Sequence, residues 1–227
     1  MAVNAPRELS LAVHELRTPV TVVSGYVRML LREQAGAVTE PQRTMLEEAD
    51  RSCARIGALI GEMGELAQLN TGEVNVPRVP FDLAALVVEL AAGLPDGDNR
   101  GVRLDVRAPH PVMVTGDRTR LAAALRGLMR AALRERGEPG VIVVACSTLG
   151  HTPAEWAIVT IGDEAVTPSL VEGASAPVPP VFDAWRGGHG LALPIGRCVI
   201  EAHGGAVWSA PGAAARGASA LRLPAAH

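Results

Sequence analysis

Residues 9–30 read LSLAVHELRTPVTVVSGYVRML. Within them Leu9, Val13, Leu16, Val20, Val23, Val27 and Leu30 step by fours and threes, which is a heptad seam on one helix. The pattern breaks at 35–38. Thr39 then offers an N-cap, with Glu40 and Pro41 in the first turn of the next helix. A second seam follows through Met45, Ala49, Ser52, Ile56, Leu59, Met63 and Leu66. Two long helices joined by a short loop make an antiparallel hairpin. One hairpin cannot bury two such stripes, whereas pairing with a second copy into a four-helix bundle can. The expectation is a homodimer through residues 7–69.

Outward from the hairpin, residues 71–81 (TGEVNVPRVPF) hold two prolines and a glycine with no helical period, and read as a linker. Beyond it both periods occur. Val102–Val106, Pro111–Thr115, Val141–Cys146, Trp156–Ile161, Ala206–Ser209 and Ala218–Leu223 suggest strands. Leu121, Leu125, Leu128 and Ala132 form a helical stripe, and Gly190–His203 reads as a helix. Thr167–Pro180, rich in Pro, Ser, Ala and Gly, reads as a mobile loop. Helices interleaved with strands indicate an α/β sandwich. The fold class is therefore α+β: a helical hairpin over 1–72, a linker over 73–80, and a sandwich over 81–227.

Composition narrows the function. The chain has 227 residues, and all 21 basic residues are arginine. A net charge of −3 gives no electrostatic footprint for nucleic acid. Cys53, Cys146 and Cys198 lack metal-site spacing and read as reduced core thiols, which points to a cytoplasmic protein. No apolar run approaches the ~20 residues that span a bilayer, and no signal peptide precedes Arg7, so no membrane segment is expected.

The sharpest chemical signal is His14-Glu15-Leu16-Arg17-Thr18-Pro19. His14 follows the seam residue Val13, so it sits on the flank of the bundle, within reach of solvent. A neutral imidazole nitrogen is a competent nucleophile toward a γ-phosphoryl group. Glu15 is placed to orient the ring or accept its proton. Pro19 has no N–H and is expected to bend the helix just past the site. This stretch resembles the phosphoacceptor box of two-component sensor histidine kinases. The resemblance implies that His14 is phosphorylated, that Glu15 assists, and that Thr18 helps dephosphorylate the partner, the receiver domain of a response regulator.

The resemblance extends through the second half, which is similar to the ATP-binding domain of histidine kinases and gyrases. It implies ATP and Mg²⁺ as cofactors, but its motifs are only partly present. Gly116-Asp117-Arg118-Thr119-Arg120-Leu121 resembles the turn opening the nucleotide-contacting helix. The metal-holding Asn of that helix falls at Ala131, and an earlier family Asn falls at Gly127. Alanine has no oxygen for a hard cation, so no metal ligand is assigned. Glu135, one turn on, reads as a solvated glutamate, with a substitute ligand as the alternative. Asp163 stands where the family places the acceptor for the adenine amino group. Glu164-Ala165-Val166-Thr167 replace the glycines that follow it, which leaves close approach of the nucleotide in doubt. Phe182 and Trp185 resemble an aromatic box at a lid edge, with packing of the lid as the simpler role. Gly188 and Gly190 survive from a glycine box that cradles phosphate at a helix N-terminus, while Ala192 replaces its third glycine. His203, in Glu201-Ala202-His203-Gly204-Gly205, reads as structural.

Three functions remain open on these residues. The first is a histidine kinase that moves phosphate from ATP to His14 and on to a regulator aspartate. The second is a histidine phosphotransferase whose degenerate ATP domain does not support autophosphorylation. The third is a non-catalytic dimeric scaffold that binds a regulator or a kinase.

Overall fold

The structure is a computed structural model and describes residues 5–71, 77–94, 101–150, 155–177, 179–184, 190–210 and 217–226. The chain falls into two compact units, Met1–Val74 and Asn75–His227.

The first unit is a helical hairpin of α1 (Ala5–Leu31) and α2 (Glu40–Thr71). The turn between them is made by Glu33, whose φ of 57° lies in the left-handed region, and by bonds from Glu33 N to Leu30 O and Gln34 N to Met29 O. Thr39 caps α2 as expected. Its Oγ1 accepts from Gln42 N at 3.4 Å while Gln42 Oε1 accepts from Thr39 N at 2.9 Å, a reciprocal capping box. Arg28 pairs with Asp50 across the helices at 2.9 Å.

The seams divide in an informative way. Val13 and Val27 of α1 are buried and Val20 is half-buried, whereas Leu16, Val23 and Leu30, the alternate seam positions, are exposed. On α2 the buried residues are Cys53, Ile60 and Ala67, seven apart and one position on from Ser52, Leu59 and Leu66. The second seam is thus displaced by one residue on the face that meets α1. Met45, Ile56 and Leu59 remain exposed. Each helix carries one apolar line toward its hairpin partner and another that is exposed.

The second unit is built on a five-stranded sheet, order β2-β4-β5-β7-β6, from β2 (Val102–Arg107), β4 (Gly140–Leu149), β5 (Trp156–Gly162), β6 (Ala206–Ser209) and β7 (Ser219–Pro224). Only the β2–β4 pair is parallel. A separate two-stranded ribbon pairs β1 (Val79–Asp82) with β3 (Met113–Gly116). Strand β1 begins inside the stretch read as linker. Helices α3 (Leu83–Ala92), α4 (Arg118–Glu135) and α6 (Ala192–Ala202) pack together and against the sheet. No element is read from 83–92 in the sequence, where LAALVVELAA carries a single polar residue, Glu89. Asp82 starts α3 by accepting from Ala84 N at 2.9 Å, and ties β3's approach to it by accepting from Val112 N at 3.0 Å.

The stretch 167–180, read as a mobile loop, corrects to a helix over its first half. Helix α5 (Thr167–Ser175) contacts β5, β6 and β7. Leu170 and Ala174 bury against Ile158, Trp208, Ala218 and Ala220. Trp208 Nε1 donates to Leu170 O at 3.1 Å, and Arg222 Nη1 donates to Ala174 O at 2.6 Å. Ala157, Val159 and Ile161, which alternate with Ile158, are buried as well, so β5 is covered on both faces.

Candidate functional sites

In the hairpin, Val13 sets the position of His14. Val13 is buried against α2, where a Cβ added at Gly64 would lie 3.4 Å from its Cγ1. One residue on, His14 is exposed, as are Glu15 and Thr18. The helix runs through Pro19 without interruption. Proline has no N–H, so the Glu15 carbonyl lacks its usual helical donor. Thr21 Oγ1 turns back to Arg17 O at 2.8 Å. The result is a solvent-facing imidazole with a carboxylate next to it on a helix anchored by Val13.

In the second unit, α4 and α6 are joined by His203. Its Nδ1–H donates to Val199 O at 2.7 Å, which leaves Nε2 to accept the Asp117 N–H at 2.9 Å. Burial disfavours the charged ring and pushes its pKa down, opposed by the Val199 bond. Asp117 in turn caps α4, accepting from Thr119 N at 3.0 Å and Arg120 N at 3.1 Å. Gly116 is required by contact: a Cβ there would lie 2.8 Å from Nε2 of His203. The Gly116-Asp117 and His203-Gly204 motifs are therefore two halves of one structural lock. His203 has the structural role read from the sequence.

Along the helix pair, small residues meet. A Cβ at Gly127 would lie 3.8 Å from Ala192 Cβ, and one at Gly196 would lie 3.4 Å from Ala124 Cβ. Ala131 is fully buried. Position 127 has no side chain and faces α6 at ordinary contact distance, and 131 offers neither an oxygen nor exposure. These residues do not fit a metal ion. Gly190, with φ 61°, precedes α6, and Leu191 caps that helix without a side-chain bond. Gly188 and Trp185 lie outside the described residues. Phe182 is buried.

Asp163 directly follows β5 and lines a cavity of about 450 Å³. The floor is made of small residues: Ala132, Gly162, Gly217 and Ala218. Gly162 is needed because a Cβ would lie 2.8 Å from Ala218 Cβ; Gly217, at φ 77°, passes too close to Ala132 for any side chain. Glu135, Glu138 and Arg136 line the rim. The Oε1 of Glu135 is buried, so this residue is part of the cavity wall rather than a solvated glutamate. Asp163 O accepts from Val166 N and Thr167 N at 2.9 and 3.2 Å, so the residues in place of the family glycines form the turn into α5. The Asp163 carboxylate is ion-paired with Arg136. Arg136 was not singled out in the sequence, since it follows α4 in a turn with no motif of its own.

Cys146 is buried, which pushes its thiol up to about 12, with the Asp82 charge adding to the effect. It is an inert core residue.

Residues 7–72 match the His Kinase A (phospho-acceptor) domain family. Across most of its length the chain is similar to named sensor proteins. It is 29% identical over 208 residues to the sensor protein DivL of Caulobacter vibrioides, covering 88% of this chain and 26% of that protein. It is 30% identical over 216 residues to the probable sensor histidine kinase TcrY of Mycobacterium tuberculosis, covering 88% of this chain and 42% of that protein. The chain thus spans less than half the length of these relatives. Its fold is similar to that of full-length ShkA, solved in complex with AMPPNP, with a TM-score of 0.72 and 23% identity over 97% of this chain and 46% of that one. It is also similar to the histidine kinase AdeS of Acinetobacter baumannii, with a TM-score of 0.58 and 18% identity over 94% of this chain and 98% of that one. Among the described residues, no helix is long and apolar enough to cross a membrane.

Proposed function

We propose that this chain is a member of the sensor histidine kinases and the phosphotransfer core of a two-component system, a reading supported by the phospho-acceptor match over residues 7–72. The observation that carries the reading is His14, exposed on the flank of α1 beside Glu15 and within the phospho-acceptor match. A nitrogen of the His14 ring attacks the γ-phosphorus of ATP, an N–P bond forms, and the bond to the departing ADP oxygen breaks. Glu15 orients the ring or takes its proton, and Thr18 helps dephosphorylate the partner receiver domain. The phosphoryl group then passes to an aspartate of a response regulator receiver domain.

The exposed lines through Leu16, Val23 and Leu30 and through Met45, Ile56 and Leu59 support a homodimer, in which two hairpins close a four-helix bundle. Residues 1–72 serve dimerisation and phosphotransfer. The sheet unit, from β1 onward, serves nucleotide, with the base in the cavity beside Asp163 and the phosphates toward Gly188 and Gly190. Mg²⁺ would reach this site only on the nucleotide, since Ala131 supplies no ligand. A positioned metal is one of the main electrostatic contributions to phosphoryl transfer, so autophosphorylation is slow, by a factor of roughly 100–1,000 against a complete site. The same loss favours a second reading, in which His14 mainly relays phosphate between regulators.

Incubation with γ-labelled ATP and Mg²⁺ tests the proposal. Acid-labile label should appear slowly in the wild type and be absent from His14→Gln. Label persisting in that variant would refute the assignment of His14. Label arriving from a phosphorylated receiver but not from ATP would select the relay reading.

A further inference from the structure

Resting on the reading that the cavity beside Asp163 takes a nucleotide base, we propose that Arg136 is its specificity-determining residue and disfavours a 6-aminopurine by occupying Asp163. Among the described residues, three carboxylates line the cavity, Glu135, Glu138 and Asp163, and Arg136 is the one cation. The guanidinium is built into the wall. Its Nε donates to Glu138 O at 3.1 Å, and its Nη1 donates to Val141 O at 3.4 Å and to Oδ1 of Asp163. Gly140 leaves the room it needs, since a Cβ there would lie 2.9 Å from its Cζ. The Arg136 N–H closes the last turn of α4 on Ala132 O at 3.2 Å. The side chain is held at both ends, and its side-chain exposure is 22% against 44% for Asp163.

The chemistry follows from donors and acceptors. An exocyclic 6-amino group is a neutral donor and needs the Asp163 carboxylate as its acceptor. Arg136 is a charged donor already on that carboxylate, and charge-assisted bonds are roughly twice as strong as neutral ones. The amino group therefore meets a carboxylate with one oxygen already bonded and its charge offset by Arg136. A 6-oxo group, being an acceptor, meets the guanidinium directly and asks for no acceptor from Asp163. The pair Asp163–Arg136 thus shifts selectivity from amino toward oxo purines.

The test is titration of the full chain with ADP and with GDP by calorimetry, for wild type, Arg136→Gln, Arg136→Ala and Arg136→Gln combined with Asp163→Asn. Arg136→Gln keeps a donor for Glu138 O and removes the charge, so it guards against a folding defect in Arg136→Ala; thermal melts report on both. Arg136→Gln should tighten ADP by roughly tenfold, the effect of losing one charge-assisted competitor. It should leave GDP unchanged or weaker, and the ADP gain should vanish in the double variant. An unchanged ADP-to-GDP ratio, or weaker ADP binding, would overturn the proposal and make Arg136 a support for Asp163. A gain that survives Asp163→Asn would overturn it too. Failure of the underlying pocket reading looks different: wild-type nucleotide binding that neither Asp163→Asn nor Arg136→Gln moves places the base elsewhere. If no variant binds either nucleotide, both ideas fall.

Discussion

Replacing Gly116 with alanine puts a methyl group against the His203 lock. The added Cβ would lie 2.8 Å from Nε2 of His203 and 3.1 Å from Leu121 Cδ1, where ordinary contacts begin near 3.4 Å. Neither neighbour has space to retreat: Leu121 and His203 are 1% and 3% exposed. Displacing the ring breaks the 2.9 Å bond from Asp117 N and leaves that N–H short of an acceptor. Overpacking of this kind costs ~1–3 kcal/mol, and an unsatisfied buried donor ~1–3 kcal/mol. Because relief of one produces the other, we expect a total of about 3 kcal/mol, roughly two orders of magnitude in the folding equilibrium. The assay is urea unfolding followed by tryptophan fluorescence. Trp156, Trp185 and Trp208 all belong to the second unit, so the signal reports that unit alone. His203→Ala should itself destabilise the unit, and the double variant should be less destabilised than the sum, because the clash has lost its partner. A Gly116→Ala protein within ~0.5 kcal/mol of wild type, or a strictly additive double variant, would show that the two motifs are not mechanically joined.

Three further outcomes are expected. Since burial holds the His203 pKa below its ordinary 6.5, the unfolded state takes up a proton first as pH falls; stability of the second unit is full above about pH 6.5 and declines below it, and urea midpoints at pH 7.5 and 5.5 should differ in that direction, with the difference reduced in His203→Ala. Leu59→Glu places a charge on the exposed line of α2 and leaves the buried Ile60 line intact, so the protein should stay helical by circular dichroism while its dimer weakens at least ~100-fold in sedimentation; dimerisation at wild-type concentration would exclude the bundle. Arg222→Ala removes the bond to Ala174 O at 2.6 Å and the stack 4.7 Å over the Trp156 ring, so amides of α5 should exchange at least ~10-fold faster, and unchanged exchange would mean that Trp208 alone secures the helix.

How much of this was legible in the chain varies with the range of the interaction. The hairpin was legible because heptad spacing and the Thr39 cap are local, and the strands around Val141–Cys146, Trp156–Ile161 and Ala206–Ser209 carry enough β-branched or apolar residues to show their period. Helix α5 was not. Its Gly173 reads as a loop breaker, yet a Cβ there would lie 2.6 Å from Nε1 of Trp208, so the glycine is set by an indole far along the chain. The Asp163 cavity was half legible: the carboxylate had a motif, while its ion-pair partner and the glycine floor had none.

The sequence by itself determined the His14-Glu15-Leu16-Arg17-Thr18-Pro19 stretch, the two helices that present it, and the absence of a side-chain oxygen at Ala131, since each depends on residue identity and near-neighbour spacing. Tertiary structure alone decided which line of α2 faces α1, that α5 covers the sheet, that His203 locks α4 to α6, and that Arg136 sits on Asp163. Those are contacts between segments far apart in the chain, and periodicity carries no information about which distant side chain will fill a given space.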